Sequence, residues 1–262
     1  EMVTEENGET EAIELFDIVY FSDFNRDFIK ETIKEQLEYT SLRAKAIPLP
    51  NIKDIPVVIR GKSMNEFWDY YLSQSDAGQK YQHLHENKVG DNIQGEGIIG
   101  DKVTITLKPI IPNSANNRYF DEEGVFLKDT QILDQGIIKN LIAFNRFAYY
   151  YDLPATGHLR NVDVLEGKYP EVELRKAPYL EVVSFSAFQM DAMTGYFGGE
   201  FRLAIYHDGF KSIPVTLGTV SANIKEAQKE MYFSKERVQS NNIMTPKIVK
   251  FNKMTIVGSD DK

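Results

Sequence analysis

The sequence predicts an α+β fold, mainly antiparallel β-sheet with three or four helices. Short apolar or alternating runs recur from Val57 to Val257. Gln135-Gly136 and Asp208-Gly209 sit between such runs as hairpin signals. Helical periodicity is confined to a few segments, and no apolar run approaches the roughly 20 residues of a membrane span.

Residues 1–14 are acidic and poor in apolar anchors, and read as a loose leader. Leu15 to Phe21 reads as a short strand. Asn25 or Ser22 can cap a helix over 26–45, with Ile29, Ile33 and Leu37 on one face. Pro48, Pro50 and Pro56 punctuate an extended linker, so the boundary is placed there. Residues 1–50 are then a leader and the tail of another domain, and 51–262 are the main domain.

Val57 to Ile59 is a strand candidate. Ser63-Met64-Asn65-Glu66 has the form of a capping box, opening a helix with Met64, Phe67, Trp68, Tyr71 and Leu72 as its apolar stripe. Residues 73–101 are polar and read as a long surface loop. Lys102 to Leu107 alternates like a half-buried strand. Residues 121–160 give a strand, the Gln135-Gly136 turn, an apolar run, a helix and a loop from Pro154 to Gly157. In that helix Leu141, Phe144 and Ala148 should face inward, leaving Arg146 and Tyr150 free on another side. Leu180 to Phe188, Glu200 to Tyr206 and Phe210 to Val215 are further strands. Asn223 opens a helix that carries Ala227 and Met231, and Ile248 to Val257 forms the last strand.

Composition excludes several functions. The net charge is −9 with pI about 5.1, and no basic stripe exists. Nucleic-acid binding, which rests on clustered Lys and Arg, is excluded as a primary role. There is no cysteine, hence no disulfide framework and no thiolate ligand. Gly-x-Ser-x-Gly and Walker motifs are absent, and no GxGxxG opens a helix after a strand. The chain starts at Glu1, as a processed product or cut fragment would. With no signal peptide and no membrane span, the expected location is the cytoplasm, a processed exported precursor being the alternative.

Four features resemble one family in order and spacing. They are Phe120-Asp121-Glu122-Glu123-Gly124; Gln135-Gly136-Ile137-Ile138-Lys139 with the following helix and Ala155-Thr156-Gly157-His158; Thr194-Gly195 to Gly198-Gly199-Glu200 with Tyr206-His207-Asp208-Gly209; and Lys247-Ile248 to Gly258. Together they resemble the C-terminal domain of the TldD/PmbA family, also called metalloprotease TldD/E or modulators of DNA gyrase. The resemblance is PmbA-like (TldE-like) at Thr156-Gly157-His158.

In the family's peptidase members the resemblance implies a helix with His-Glu-x-x-x-His and a C-terminal cysteine that together hold zinc. The matching window here is Asn65-Glu66-Phe67-Trp68-Asp69-Tyr70. Asn65 and Tyr70 replace the two histidines. Glu66 keeps the glutamate's place but reads as the capping-box partner of Ser63. The resemblance therefore implies a non-catalytic subunit without a cofactor, zinc being expected only in a partner. It implies a homodimer, or a heterodimer with a TldD-like zinc peptidase, acting on unfolded peptides. Asp121, Gly124, Gly136, Arg146, Tyr150, Thr156, Gly157 and His158 are the candidate residues for loops facing the partner or cavity.

Two competing readings stay open. One is an active metallopeptidase with a divergent metal site, for which His83 and His85 would share a face if their segment were a strand. The other is a peptide- or carbohydrate-binding β-domain. His207, before the Asp208-Gly209 turn, reads as a hairpin surface residue.

Overall fold

Two sheets enclose one short helical segment, and that segment is the core. The structure is a computed structural model describing residues 2–3 and 13–258. The larger sheet runs Met231–Phe233, Ile248–Phe251, Val57–Arg60, Tyr179–Met190, Tyr196–His207, Ser212–Thr216 and Ile47–Pro48. Gly218–Asn223 pairs with the first half of Tyr196–His207, and Thr255–Gly258 lies beyond it. The smaller sheet runs Arg237–Ser240, Ile243–Pro246, Asn161–Val164, Ile105–Lys108, Thr130–Asp134 and Ile137–Ile138. Most pairs are antiparallel, so the predicted α+β class holds.

The central segment is a 3-10 helix, Gly61–Trp68, running into the α-helix Asp69–Ser73. Its predicted stripe is buried: Met64, Phe67, Trp68 and Tyr71 have no exposure. Phe67 packs edge-on against Phe197 at 5.0 Å and Phe251 at 5.6 Å, and Trp68 against Phe233 at 5.7 Å. Ile105, Leu133 and Val164 of the smaller sheet complete the same cluster. Fully burying a large apolar side chain stabilises by about 1.5–3 kcal/mol, so this short segment carries much of the core.

Several expectations are corrected. Of the predicted 15–21 strand only Leu15 lies in a ladder, as part of the strand Glu14–Leu15. The chain beyond it is held by loop contacts, such as the Tyr20 amide donating to Asn241 Oδ1 at 2.9 Å. Asn25 does cap the helix Arg26–Arg43, accepting from the Asp27 and Phe28 amides. Its inward face, however, is not Ile29, Ile33 and Leu37. Ile33 and Leu37 are exposed, while Tyr39 and Leu42 pack on Leu15, Val183 and Leu203. Arg60 adds to that packing by sitting over the Tyr39 ring at 4.7 Å. Ile47–Pro48, read as linker, is a parallel strand beside Val215 and Thr216.

Within 73–101 a helix, Ala77–Tyr81, is capped by Asp76. The helix near 145 spans Asn145–Tyr151, so Leu141 packs from outside it and Phe144 is its N-cap. Met231 belongs to a strand and not to the helix Ile224–Ala227. The last strand is two, Ile248–Phe251 and Thr255–Gly258, which pair with different partners.

Candidate functional site

A groove of about 690 Å³ lies beside the core helix, between Glu66 and the far ends of three strands. Gln189, Gly198 and Ser221 are cross-strand neighbours there, so they share one sheet face. Gly198 leaves the middle of that row bare. Its φ is +143°, and a Cβ would lie 2.1 Å from the Val220 carbonyl oxygen. A glycine inside a strand marks a close approach of another backbone or a ligand. Here it supplies both, a tight contact to the neighbouring strand and an open trough. Asp191 and Tyr196, at the adjoining hairpin turn, close one end. A second pocket of only about 80 Å³, between Tyr20 and Gln239, is too small for a peptide.

Glu66 stands on the exposed side of the helical segment. The capping box is not formed. Ser63 Oγ donates to the Val183 carbonyl at 3.1 Å, and the helix start has no side-chain cap. The 3-10 geometry explains this, because the segment begins at Gly61, ahead of Ser63. Among the described residues nothing hydrogen-bonds or ion-pairs with the Glu66 carboxylate. Asp69 lies three residues on. Although the residue is exposed overall, desolvation by the surrounding protein pushes its carboxyl up to about 6, with the Glu66 charge adding to the effect.

The other residues of the matching window are built into the fold. Asn65 Nδ2 donates to Ser240 Oγ at 2.9 Å. Tyr70 is 5% exposed and meets the Tyr71 ring edge-on at 5.3 Å. Burial raises the Tyr70 phenol above its ordinary value.

The 121–160 block forms a different site. Asp121 Oδ1 accepts from the Glu123 and Val125 amides, both at 2.9 Å, and Oδ2 from the His158 amide at 3.0 Å. Gly124 makes the turn with φ +77°. Thr156 Oγ1 accepts from the Ala143 amide at 2.9 Å. A Cβ on Gly157 would lie 2.5 Å from Leu127. Glu122 is held at about 2 by the Arg118 hydrogen bond, with Arg118 and His158 charge helping. Arg160 also reaches it, at 3.1 Å. Asp121, Gly124, Thr156, Gly157 and His158 thus come together as one loop cluster. Gly136 does not join them; it packs on Gln94 in the hairpin turn.

Contrary to the expectation from sequence, Arg146 and Tyr150 are engaged within the chain. Tyr150 stacks on Tyr81 at 5.3 Å, and Arg146 lies over Tyr81, Phe147 and Tyr150 at 5.6–5.8 Å. The outer surface of this cluster stays open: Tyr149 is 84% and Tyr150 49% exposed. Tyr81 was missed because its helix lay inside the segment read as loop.

The histidines do not converge. His83 sits in a turn with φ +58°, not in a strand. His85 uses both ring nitrogens, Nε2 with the Asp76 carbonyl at 3.0 Å and Nδ1 with the Asn87 amide at 3.2 Å. Ligation beside His83 would cost both bonds. His207 is half-buried at the hairpin: it stacks on Tyr179 at 4.3 Å, and Nδ1 lies 2.8 Å from Ser212 Oγ. Among the described residues no three His, Cys, Asp or Glu side chains form a metal-binding group.

The family described as the PmbA/TldA metallopeptidase C-terminal domain matches residues 52–258. The chain belongs to this family. The resemblance drawn from the sequence is therefore borne out. Solved structures share the fold. TldE from Thermococcus kodakarensis is similar with a TM-score of 0.80 at 19% identity, over 98% of this chain and 61% of that one. A proposed modulator of a DNA gyrase from Thermotoga maritima MSB8 gives 0.72 at 17%, over 87% and 55%. One from Bacteroides thetaiotaomicron VPI-5482 gives 0.69 at 17%, over 86% and 51%. The chain spans 61% of the TldE chain and less of the other two. No curated protein matches it.

Zinc chemistry needs imidazole, thiolate or carboxylate donors around an open position. In this PmbA/TldA-family domain Asn65 and Tyr70 offer an amide and a buried phenol, and the sequence holds no cysteine. The residues in the window do not fit a zinc centre. The groove residues Gln189, Gly198 and Ser221 were not singled out as a site from sequence. The paired glycines 198 and 199 were the readable signal, since a strand interior seldom carries two without a reason. No helix among the described residues is long and apolar enough to cross a membrane.

Proposed function

We propose that this chain is a TldE-like, non-catalytic subunit of a TldD/E-type metallopeptidase assembly. Its groove holds an extended, unfolded segment of polypeptide, and a zinc-bearing TldD-like partner cuts it. The observation that carries this reading is the structural use of Asn65 and Tyr70. Asn65 is tied to Ser240 through Nδ2, with its Oδ1 buried and unpartnered, and Tyr70 is buried against the Tyr71 ring, so neither position presents the imidazole or thiolate a zinc centre uses. Glu66, in the family glutamate's place, has no metal-bound water to act on. It serves as part of the groove wall.

The loops around Asp121 and His158, and the Arg146–Tyr150–Tyr81 surface, are the assembly faces in this reading. Tyr and Arg anchor stable interfaces. The complex forms as a homodimer or with the peptidase, in the cytoplasm.

The test is zinc content by elemental analysis, and cleavage of an unfolded peptide by the purified chain with and without chelator. The expected result is no stoichiometric zinc and no chelator-sensitive cleavage. Near one equivalent of zinc, or chelator-sensitive turnover by the chain alone, would overturn the reading.

A further inference from the structure

We propose that the groove beside Glu66 selects polypeptide segments that carry positive charge. This rests on the reading of the groove as a binding site for extended peptide. The groove's charge is one-sided: Glu66 and Asp191 line it, and no Lys, Arg or His does. Asp69 adds a third carboxyl close enough to Glu66 to feel its charge.

The two lining carboxylates differ in what they can do. Asp191 is consumed by its own turn. It accepts from the Thr194 hydroxyl at 2.6 Å and from the Met193 and Thr194 amides. These bonds, the Thr194 side chain first, hold its carboxyl below the ordinary range, so it is a fixed negative charge at working pH. Glu66 has no partner among the described residues and is free to pair with a ligand. Tyr196, 64% exposed and lining the groove, adds an aromatic ring, a group that attracts cations. Between them the bare Gly198 row, flanked by the Gln189 and Ser221 side chains, lets a backbone lie close to the sheet. An ammonium or guanidinium on that backbone meets Glu66 and Tyr196. A carboxylate there meets only like charge.

The chain as a whole is acidic, so the preference must be shown to be local. The experiment uses fluorescence anisotropy with the full chain and three labelled, unstructured peptides that differ only in a central Lys, Ala or Glu. The Lys peptide should bind tightest and the Glu peptide weakest, each step being about two- to fivefold, the range of a single exposed ion pair. The spread should shrink at high salt, since such charges are screened beyond ~10 Å at 0.1 M. Glu66→Gln should reduce the Lys-to-Glu ratio. Glu173→Gln, an exposed carboxylate outside the groove lining, should leave it unchanged. Equal binding of the three peptides overturns the charge selection alone, as does an equal effect of the two substitutions. Failure of all three peptides to bind overturns the peptide groove itself and the selection with it.

Discussion

The carboxylate of Asp121 accepts the backbone amide of His158 at 3.0 Å, tying together two loops that are 37 residues apart. With its other oxygen it closes its own turn on Glu123 and Val125. One side chain therefore fixes both halves of the family's most recognisable block. Burial works against the charged form, but the three amides outweigh it and hold the carboxyl below the ordinary range.

Asp121→Ala should therefore destabilise the chain by about 1.5–3 kcal/mol, the usual value for hydrogen bonds to a charged group. Because the folded pKa is depressed, this stability is present above the ordinary aspartate value of about 3.9. It is lost as pH falls through the folded value. Urea unfolding across acid pH measures it, and a mutant as stable as wild type at neutral pH would show that the loops hold without it.

Asp69 has the opposite sign. Its folded pKa is raised to about 6, so the folded state binds more protons than the unfolded one between about 3.9 and that value. Its contribution therefore falls as pH rises through this window. Asp69→Asn should remove that slope, and Glu66→Gln should lower the Asp69 pKa. Carboxyl titration by NMR reads both. A wild-type Asp69 titrating near 4 would remove the premise. Glu66→Ala should change stability by less than about 0.5 kcal/mol, as for an exposed residue without a structural bond.

Glu181 is 3% exposed and bound by Arg60 Nε at 2.9 Å and by Arg175 at 2.9 and 3.1 Å. Burial opposes its ionisation, and the two guanidiniums, Arg175 first, lower its pKa in spite of it. Glu181→Gln should cost about 1.5–3 kcal/mol, the value of hydrogen bonds to a charged group, because the two partly exposed guanidiniums lose this buried carboxylate but keep Glu35 and Glu171. The stability it provides exists above the ordinary glutamate value of about 4.3 and disappears as pH falls through the depressed one. Thermal unfolding of the mutant checks the size, and a loss below about 1 kcal/mol would place the network among ordinary surface ion pairs.

The paired change Arg146→Glu, Tyr150→Asp should weaken self-association or association with a TldD-like partner. It also dismantles an intramolecular cluster with Tyr81, so circular dichroism must show the fold retained. Light scattering at micromolar concentration reads the outcome. A wild-type monomer that also fails to bind a peptidase partner removes the surface from consideration, and an unaltered assembly moves the interface elsewhere.

Short-range chemistry in the sequence carried the fold class, and long-range choices were hidden. The Asn25 cap, the Gln135-Gly136 turn and the Phe67–Trp68–Tyr71 stripe were legible because each depends on neighbours within a few residues. The orientation of the Arg26–Arg43 helix was not. Ile33 and Leu37 make as good an apolar face as Tyr39 and Leu42, and only distant residues, Leu15, Val183, Leu203 and Arg60, decide between them. The Ser63–Glu66 pattern misled because a 3-10 segment starting at Gly61 shifts the frame on which a capping box depends. The groove escaped because it exists only where Gly198 is flanked by Gln189 and Ser221 from two other strands.

The segment that brings Glu66 to the groove is also the keystone of this domain. Phe67, Trp68 and Tyr71 anchor Gly61–Ser73 between the sheets whatever stands at the positions facing outward. Groove wall and core are thus two sides of the same short helix, with Glu66 turned outward and Phe67 and Trp68 inward. Building a metal centre into it would meet uneven obstacles. A histidine at position 65 would give up one hydrogen bond to Ser240. A histidine at position 70 would have to replace a buried tyrosine ring, so the second change would disturb the fold more than the first.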